Sequence, residues 1–105
     1  MWSIEWNGTA WANPKPIDSI NSSFAETGPE LADDGRALFF SSNREDGFGG
    51  FDLWLSLKDE EGGWGEPVNL GPEVNSEFNE YDPAEEKVSG SIYFSSNRPR
   101  RELTE

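Results

Sequence analysis

The chain has no cysteine and no histidine in its 105 residues. Disulfides are therefore excluded, as are thiolate or imidazole metal sites and catalysis through a Cys or His side chain. Basic residues are scarce too: 8 Lys and Arg stand against 21 Asp and Glu, for a net charge of −13. Such a surface repels nucleic acid and anionic lipid, because phosphate binding requires clustered Lys and Arg. It suits solubility and favours cations or basic partners. No apolar run approaches the ~20 residues of a membrane-spanning helix, and no segment shows helical periodicity. The opening Met1-Trp2-Ser3-Ile4-Glu5-Trp6 has neither the basic region nor the apolar stretch of a signal peptide. A soluble, cytoplasmic protein is expected, or a periplasmic one where a leader has been removed.

What the chain does have is aromatic. Hydrophobic residues make up only 33%, yet aromatics reach 13% and include five Trp. Disordered chains are poor in aromatics, so the low hydropathy points to a β-rich domain with much loop. Eleven Gly and seven Pro are spread along the chain, where they punctuate short strands instead of forming a linker.

The pentapeptide Phe-Ser-Ser-Asn-Arg occurs twice, at Phe40–Arg44 and Phe94–Arg98, an offset of 54. At the same offset Asn21-Ser22 matches Asn75-Ser76, Phe24 matches Phe78, Glu26 matches Glu80, Pro29 matches Pro83, and Leu38-Phe39 matches Ile92-Tyr93. Further upstream the offset is 53, pairing Trp11 with Trp64, Pro14 with Pro67 and Ile17 with Leu70. One single-residue gap between Ile17 and Asn21 reconciles the two registers.

Each repeat reads as four short strands. Leu31-Ala32 leads into Asp33-Asp34-Gly35-Arg36, a turn in which Asp bonds its own backbone and Gly accepts positive φ. Ala37–Ser42 is apolar and aromatic, as in a strand buried on both faces. A glycine-containing loop, Asn43–Gly50, precedes the clearest strand, Phe51–Leu57. Asp59–Gly63 is a polar turn, and Trp64–Leu70 is a fourth strand that Pro67 marks as an edge. Four antiparallel strands in roughly 40–50 residues, with recurring Gly and aromatic signals, make a β-propeller blade.

The segments Asp33–Arg44, Gly47–Trp54 and Trp64–Gly71 together resemble the TolB-like β-propeller repeat, and the resemblance covers essentially the whole chain. It implies that the strands run, in order, from innermost to outermost in a blade. The second copy departs from the pattern. Only Glu86-Lys87-Val88-Ser89-Gly90 stands opposite Asp33-Asp34-Gly35, and no glycine loop or third strand follows Arg98.

The N-terminal segment supplies what the second copy lacks. Trp2–Trp6 takes the place of Leu55-Ser56-Leu57, and Trp11–Pro14 that of Trp64–Pro67. The reading is an all-β single domain over residues 1–105, with two blade equivalents. Residues 1–17 form the outer two strands of a shared blade, 29–70 a complete blade, and 82–98 the inner two strands of a shared blade. Two blades cannot close a ring, since propellers need about four to eight, and open strand edges invite aggregation. Head-to-tail pairing of residues near 82–96 of one copy with residues near 2–17 of the next would complete a composite blade. A homotrimer of six blades is expected from the resemblance, ahead of a tetramer of eight or a dimer of four. The competing reading is a piece of a longer propeller.

The loops Arg44–Phe51, Asp18–Gly28 and Gly71–Tyr81 are expected to open on one face, a rim suited to ligand or peptide recognition. Residues repeated in both copies are assigned to structure: Phe24 and Phe78 between blades, Asn43 and Asn97 as turn caps, and Arg44 and Arg98 on carbonyls or a carboxylate, with Asp52 as the expected partner. Residues that differ between copies, Asp46, Phe48, Tyr81, Arg100 and Arg101, are the ligand-binding candidates, together with Glu85. Glu85 stands near the innermost strand, where ring symmetry would gather one carboxylate per subunit and leave room for a channel cation such as calcium. The acidic pairs lack the spacing of an EF-hand loop, so the metal is unknown and no cofactor is expected. Asn7-Gly8-Thr9 and Asn21-Ser22-Ser23 fit the glycosylation pattern, which is common by chance.

Three functions fit. The first is a non-catalytic binding module, a homo-oligomeric propeller presenting its rim or channel to an unknown ligand or protein partner. The second is a hydrolase or lyase built on channel carboxylates, against which stands the absence of any nucleophile-plus-base arrangement. The third is a purely structural assembly unit.

Overall fold

The computed structural model describes residues 1–99, and these are all-β: eight strands in antiparallel sheets, with no helix. The strands are β1 (Trp2–Trp6), β2 (Trp11–Pro16), β3 (Glu26–Leu31), β4 (Ala37–Ser42), β5 (Asp52–Leu57), β6 (Val68–Asn69), β7 (Glu80–Glu85) and β8 (Ile92–Ser96). They form a two-stranded sheet β1-β2, a four-stranded sheet β3-β4-β5-β6 and a second two-stranded sheet β7-β8.

Local chemistry sets the turns. Between β3 and β4, Gly35 adopts φ +71° and donates its N–H to the Ala32 carbonyl at 2.8 Å, while Asp34 Oδ1 accepts the Arg36 N–H at 2.9 Å. Between β5 and β6, Asp59 Oδ1 accepts the N–H groups of Glu61 and Gly63 at 2.9 and 2.7 Å. β4 and β5 pair without interruption from Ala37↔Leu57 to Ser42↔Asp52. Strand alternation therefore places Leu38, Phe40 and Trp54 on one face. There they are buried with Ile20 from the loop before β3, and Met1, Ile17 and Trp64 pack around them. Phe39 and the fully buried Leu53 point the other way, and β7 lies along β3, β4 and β5.

Each of the three sheets contains one bulge of the same build. Pairing shifts by one residue at Asn13-Pro14 opposite β1, at Gly28-Pro29 opposite β4, and at Asp82-Pro83 opposite β8. The residue before each proline has positive φ, at 55°, 63° and 52° respectively. A proline cannot donate to the ladder, so the bulge absorbs it. Gly28 also needs its missing side chain, because a Cβ there would lie 2.9 Å from Asp82 Oδ1.

Two sequence-based expectations are corrected. The fourth strand, expected over Trp64–Leu70, pairs only at Val68–Asn69, with a single bridge at Lys58↔Trp64. Pro67 removes a donor, and Gly65 bonds back to the Leu57 carbonyl at 2.8 Å. The alignment of the first strand moves by one residue. Asn75 accepts the Leu53 N–H at 2.7 Å and donates to the Leu53 carbonyl at 3.0 Å. Asn21 makes the same pair of bonds with Met1, donating to its carbonyl at 2.9 Å and accepting from its amino group. Leu70 and Ile17 donate to these same two carbonyls, at 3.1 and 3.0 Å. Met1 therefore corresponds to Leu53, Trp2 to Trp54, Ser3 to Leu55 and Ile4 to Ser56. The pairings agree, with Trp2↔Pro16 and Ser3↔Lys15 matching Trp54↔Asn69 and Leu55↔Val68. In a strand such a slip exchanges faces, so it decides which side chains are buried.

Candidate functional site

Two buried carboxylates, Glu26 and Glu80, stand at the starts of β3 and β7. Glu26 accepts hydrogen bonds from the Ser22 N–H at 3.1 Å, the Ser22 hydroxyl and the Ser42 hydroxyl at 2.9 Å, and pairs with Arg44 at 3.3 Å. Arg44 also donates to the Ile20 carbonyl. Glu80 repeats the arrangement with the Ser76 N–H at 3.0 Å, the Ser76 hydroxyl at 2.6 Å, the Ser96 hydroxyl at 2.8 Å and Arg98 at 3.2 Å. Arg98 likewise reaches the Val74 carbonyl, at 2.6 Å. Burial alone would push both carboxyls up. The serine hydrogen bonds and the arginine charge outweigh it and hold both below the ordinary value.

The partner of Arg44 is thus Glu26 and not Asp52. Asp52 faces the glycine loop instead: its Oδ2 accepts the Phe48 N–H and, at 3.2 Å, the Asn69 amide. The signal for Glu26 was in the sequence, in its match with Glu80. A buried carboxylate and its arginine repeat together because neither is tolerated unpaired.

The loop between β4 and β5 lies beside the loop before β7. A Cβ at Gly49 would overlap the backbone of Ser76 and Glu77, and one at Gly50 the Asn79 side chain. Asn79 Oδ1 accepts the Phe51 N–H at 2.8 Å, and the Phe51 carbonyl accepts the Glu80 N–H at 2.7 Å. On this end Asp46, at φ +70°, and Phe48 are exposed, as is Phe24, whereas Phe78 is half-buried. Tyr81 stacks on Phe51 with ring centroids 5.0 Å apart. Asn43 and Asn97 each tie a strand end, accepting the N–H of Ala25 at 2.9 Å and of Asn79 at 2.8 Å.

Glu85 stands apart from these loops, at the far end of β7. It is half-buried, and its carboxylate accepts the Asp33 N–H at 2.8 Å. With Ala32, Asp34, Phe39 and Lys87 it borders an open cleft. Among the described residues no group of three or more acidic side chains converges to hold a metal, and no helix is long and apolar enough to cross a membrane. Arg100 and Arg101 lie outside the described residues.

The least satisfied surfaces belong to the two-stranded sheets. Phe40 is 0% exposed, but Phe94, its counterpart on β8, is 37% exposed. Trp2 and Trp11 are exposed, whereas Trp54 is buried and Trp64 half-buried. The Arg44 guanidinium sits 5.2 Å from both the Phe40 and Trp54 rings. That of Arg98 lies 5.7 Å from Phe94, and no second ring of the described residues covers it. Its side chain is 38% exposed against 14% for Arg44.

No family model matches the chain, and neither does any curated protein or solved structure.

Proposed function

We propose that the chain is a non-catalytic binding module, a β-propeller of the TolB-like kind closed into a ring by copies of itself. The observation that carries this reading is the two-four-two division of the strands. β7 and β8 correspond to β3 and β4, and β1 and β2 to β5 and β6. The two small sheets are therefore the complementary halves of one four-stranded sheet, held at opposite ends of the chain. Two-stranded sheets are marginal in water, and these two expose Trp2, Trp11, Tyr93 and Phe94. Head-to-tail pairing of β8 with β1 of the next copy supplies both with a partner, and the contact is heterologous, so it propagates until the ring closes. With two blade equivalents per chain, three copies give six blades, within the size range of propellers.

In such a ring the loops holding Asp46 and Phe48 from every copy share one rim. Aromatic side chains among carboxylates, on a chain of net charge −13, suit a basic or cationic partner. Electron microscopy of the full chain tests the architecture. Class averages are expected to show a closed ring of six blades around a channel. Isolated elongated particles, with the 58 Å long axis of the single chain, would overturn it.

A further inference from the structure

We infer that the neighbouring copy's Trp2 completes the arginine site at Arg98, and that this contact sets the register of the shared sheet. The inference rests on the ring reading above and specifies how its joint is made. In the four-stranded sheet Phe40 stands opposite Trp54 and Phe39 opposite Leu55, and the Arg44 guanidinium lies equally close to both rings of the first pair. Arg98 has the same bonds to Ser96, Glu80 and the Val74 carbonyl that Arg44 has to Ser42, Glu26 and the Ile20 carbonyl. It has the first ring, Phe94, but lacks the second. The residue corresponding to Trp54 is Trp2, which stands in β1 at the opposite end of the chain with two-thirds of its surface exposed.

Carrying the pairing of β4 and β5 onto β8 and the next copy's β1 gives one register. Phe94 then faces Trp2, Tyr93 faces Ser3, and Ile92 faces Ile4. Trp2 comes to lie over Arg98 as Trp54 lies over Arg44, a cation–π contact made where both groups lose water. The same placement covers Phe94, and it brings the exposed Trp11 to the position held by Trp64 beside the core. Pairing one residue out of step would turn Trp2 to the opposite face, away from Arg98.

The register is read by cross-linking, which the absence of native cysteine makes unambiguous. A full chain carrying Ser3→Cys and Tyr93→Cys places its two thiols directly opposite one another across the joint, within disulfide reach. A control carries Ser3→Cys and Ile92→Cys, which this register puts on opposite faces. On mild oxidation the first is expected to give disulfide-linked dimers and trimers at least tenfold in excess of the second. Equal or reversed yields, from protein that light scattering shows to be oligomeric, overturn the register and leave the ring standing. Protein that is monomeric before oxidation overturns both. A double-mutant cycle tests the contact itself, with assembly followed by dilution. Trp2→Ala and Arg98→Met should each weaken assembly, and the double variant should be weaker by less than the product of the two losses. Losses that multiply independently overturn the contact.

Discussion

Trp2 and Trp54 hold the same position in two sheets of one chain, yet Trp54 is 7% exposed and Trp2 is 66% exposed. Trp54 is covered by Ile20, Phe40 and Arg44. Trp2 has the strand and the pairing of its counterpart, but its two-stranded sheet has no strands in the place of β3 and β4. Leaving such a ring in water forgoes several kcal/mol of burial, and the chain does so at Trp11 as well.

The two tryptophans should therefore respond differently to truncation. Trp54→Ala is expected to destabilise the folded chain by about 3–5 kcal/mol, seen as a fall in the thermal midpoint. Trp2→Ala should leave the circular dichroism spectrum intact and instead weaken assembly. Equal loss of folded structure in both variants would show that Trp2 serves the chain's own core.

Glu26→Gln strands a nearly buried Arg44, and breaking a buried pair in this way costs about 3–5 kcal/mol. Glu80→Gln should cost less in the dissociated chain, because the Arg98 side chain is 38% exposed and water screens it. Replacing the first pair together, Glu26→Leu with Arg44→Met, should recover part of the loss. Urea unfolding of the three variants gives the comparison.

Acid should unfold the protein through these same groups. Both carboxyls titrate below their ordinary value of 4.5 in the folded chain. Their contribution is then complete above about pH 4.5 and is lost as the pH falls through the lower folded values. Thermal midpoints between pH 7 and pH 3 should drop in that acid window. A variant carrying Glu26→Gln and Glu80→Gln should start lower and fall less steeply. An unchanged slope would place the acid sensitivity elsewhere.

Gly49 is held by close approach and not by its φ. Gly49→Ala is expected to cost about 1–3 kcal/mol, as overpacking does, because its Cβ would overlap the backbone before β7. Gly62→Ala should not cost through crowding, since nothing lies within 4 Å of a Cβ there. Its φ of +86° still strains an alanine, so the informative reading is proteolysis at the loops. Only Gly49→Ala should loosen the segment around Ser76.

Much of the fold was legible in the sequence because its strands are short, aromatic and separated by turns with strong local chemistry. Ala37–Ser42 matches β4 residue for residue, and Phe51–Leu57 differs from β5 by one. The register of β1 was not legible. Ser3 and Ser56 are alike in type, and the two turns differ in length, Asn7–Ala10 against Asp59–Gly63. The bonds from Asn21 and Asn75, together with the strand pairings, show that Met1 answers to Leu53. The Arg44 partner was not legible either. Asp52 is nearer in sequence, but its carboxylate is occupied in holding the glycine loop, while Glu26 arrives from the neighbouring strand. The exposed Phe48 and Asp46 were visible as differences between repeats, and Tyr81 proved to pack on Phe51.

The mass of the intact chain in solution tests the central claim most directly. Native mass spectrometry at micromolar concentration should give a dominant species of about 35 kDa, three times the 11.8 kDa chain, with few dimers or open chains because a ring is cooperative. A species of 11.8 kDa at every concentration would contradict self-assembly, and with it the composite sheet.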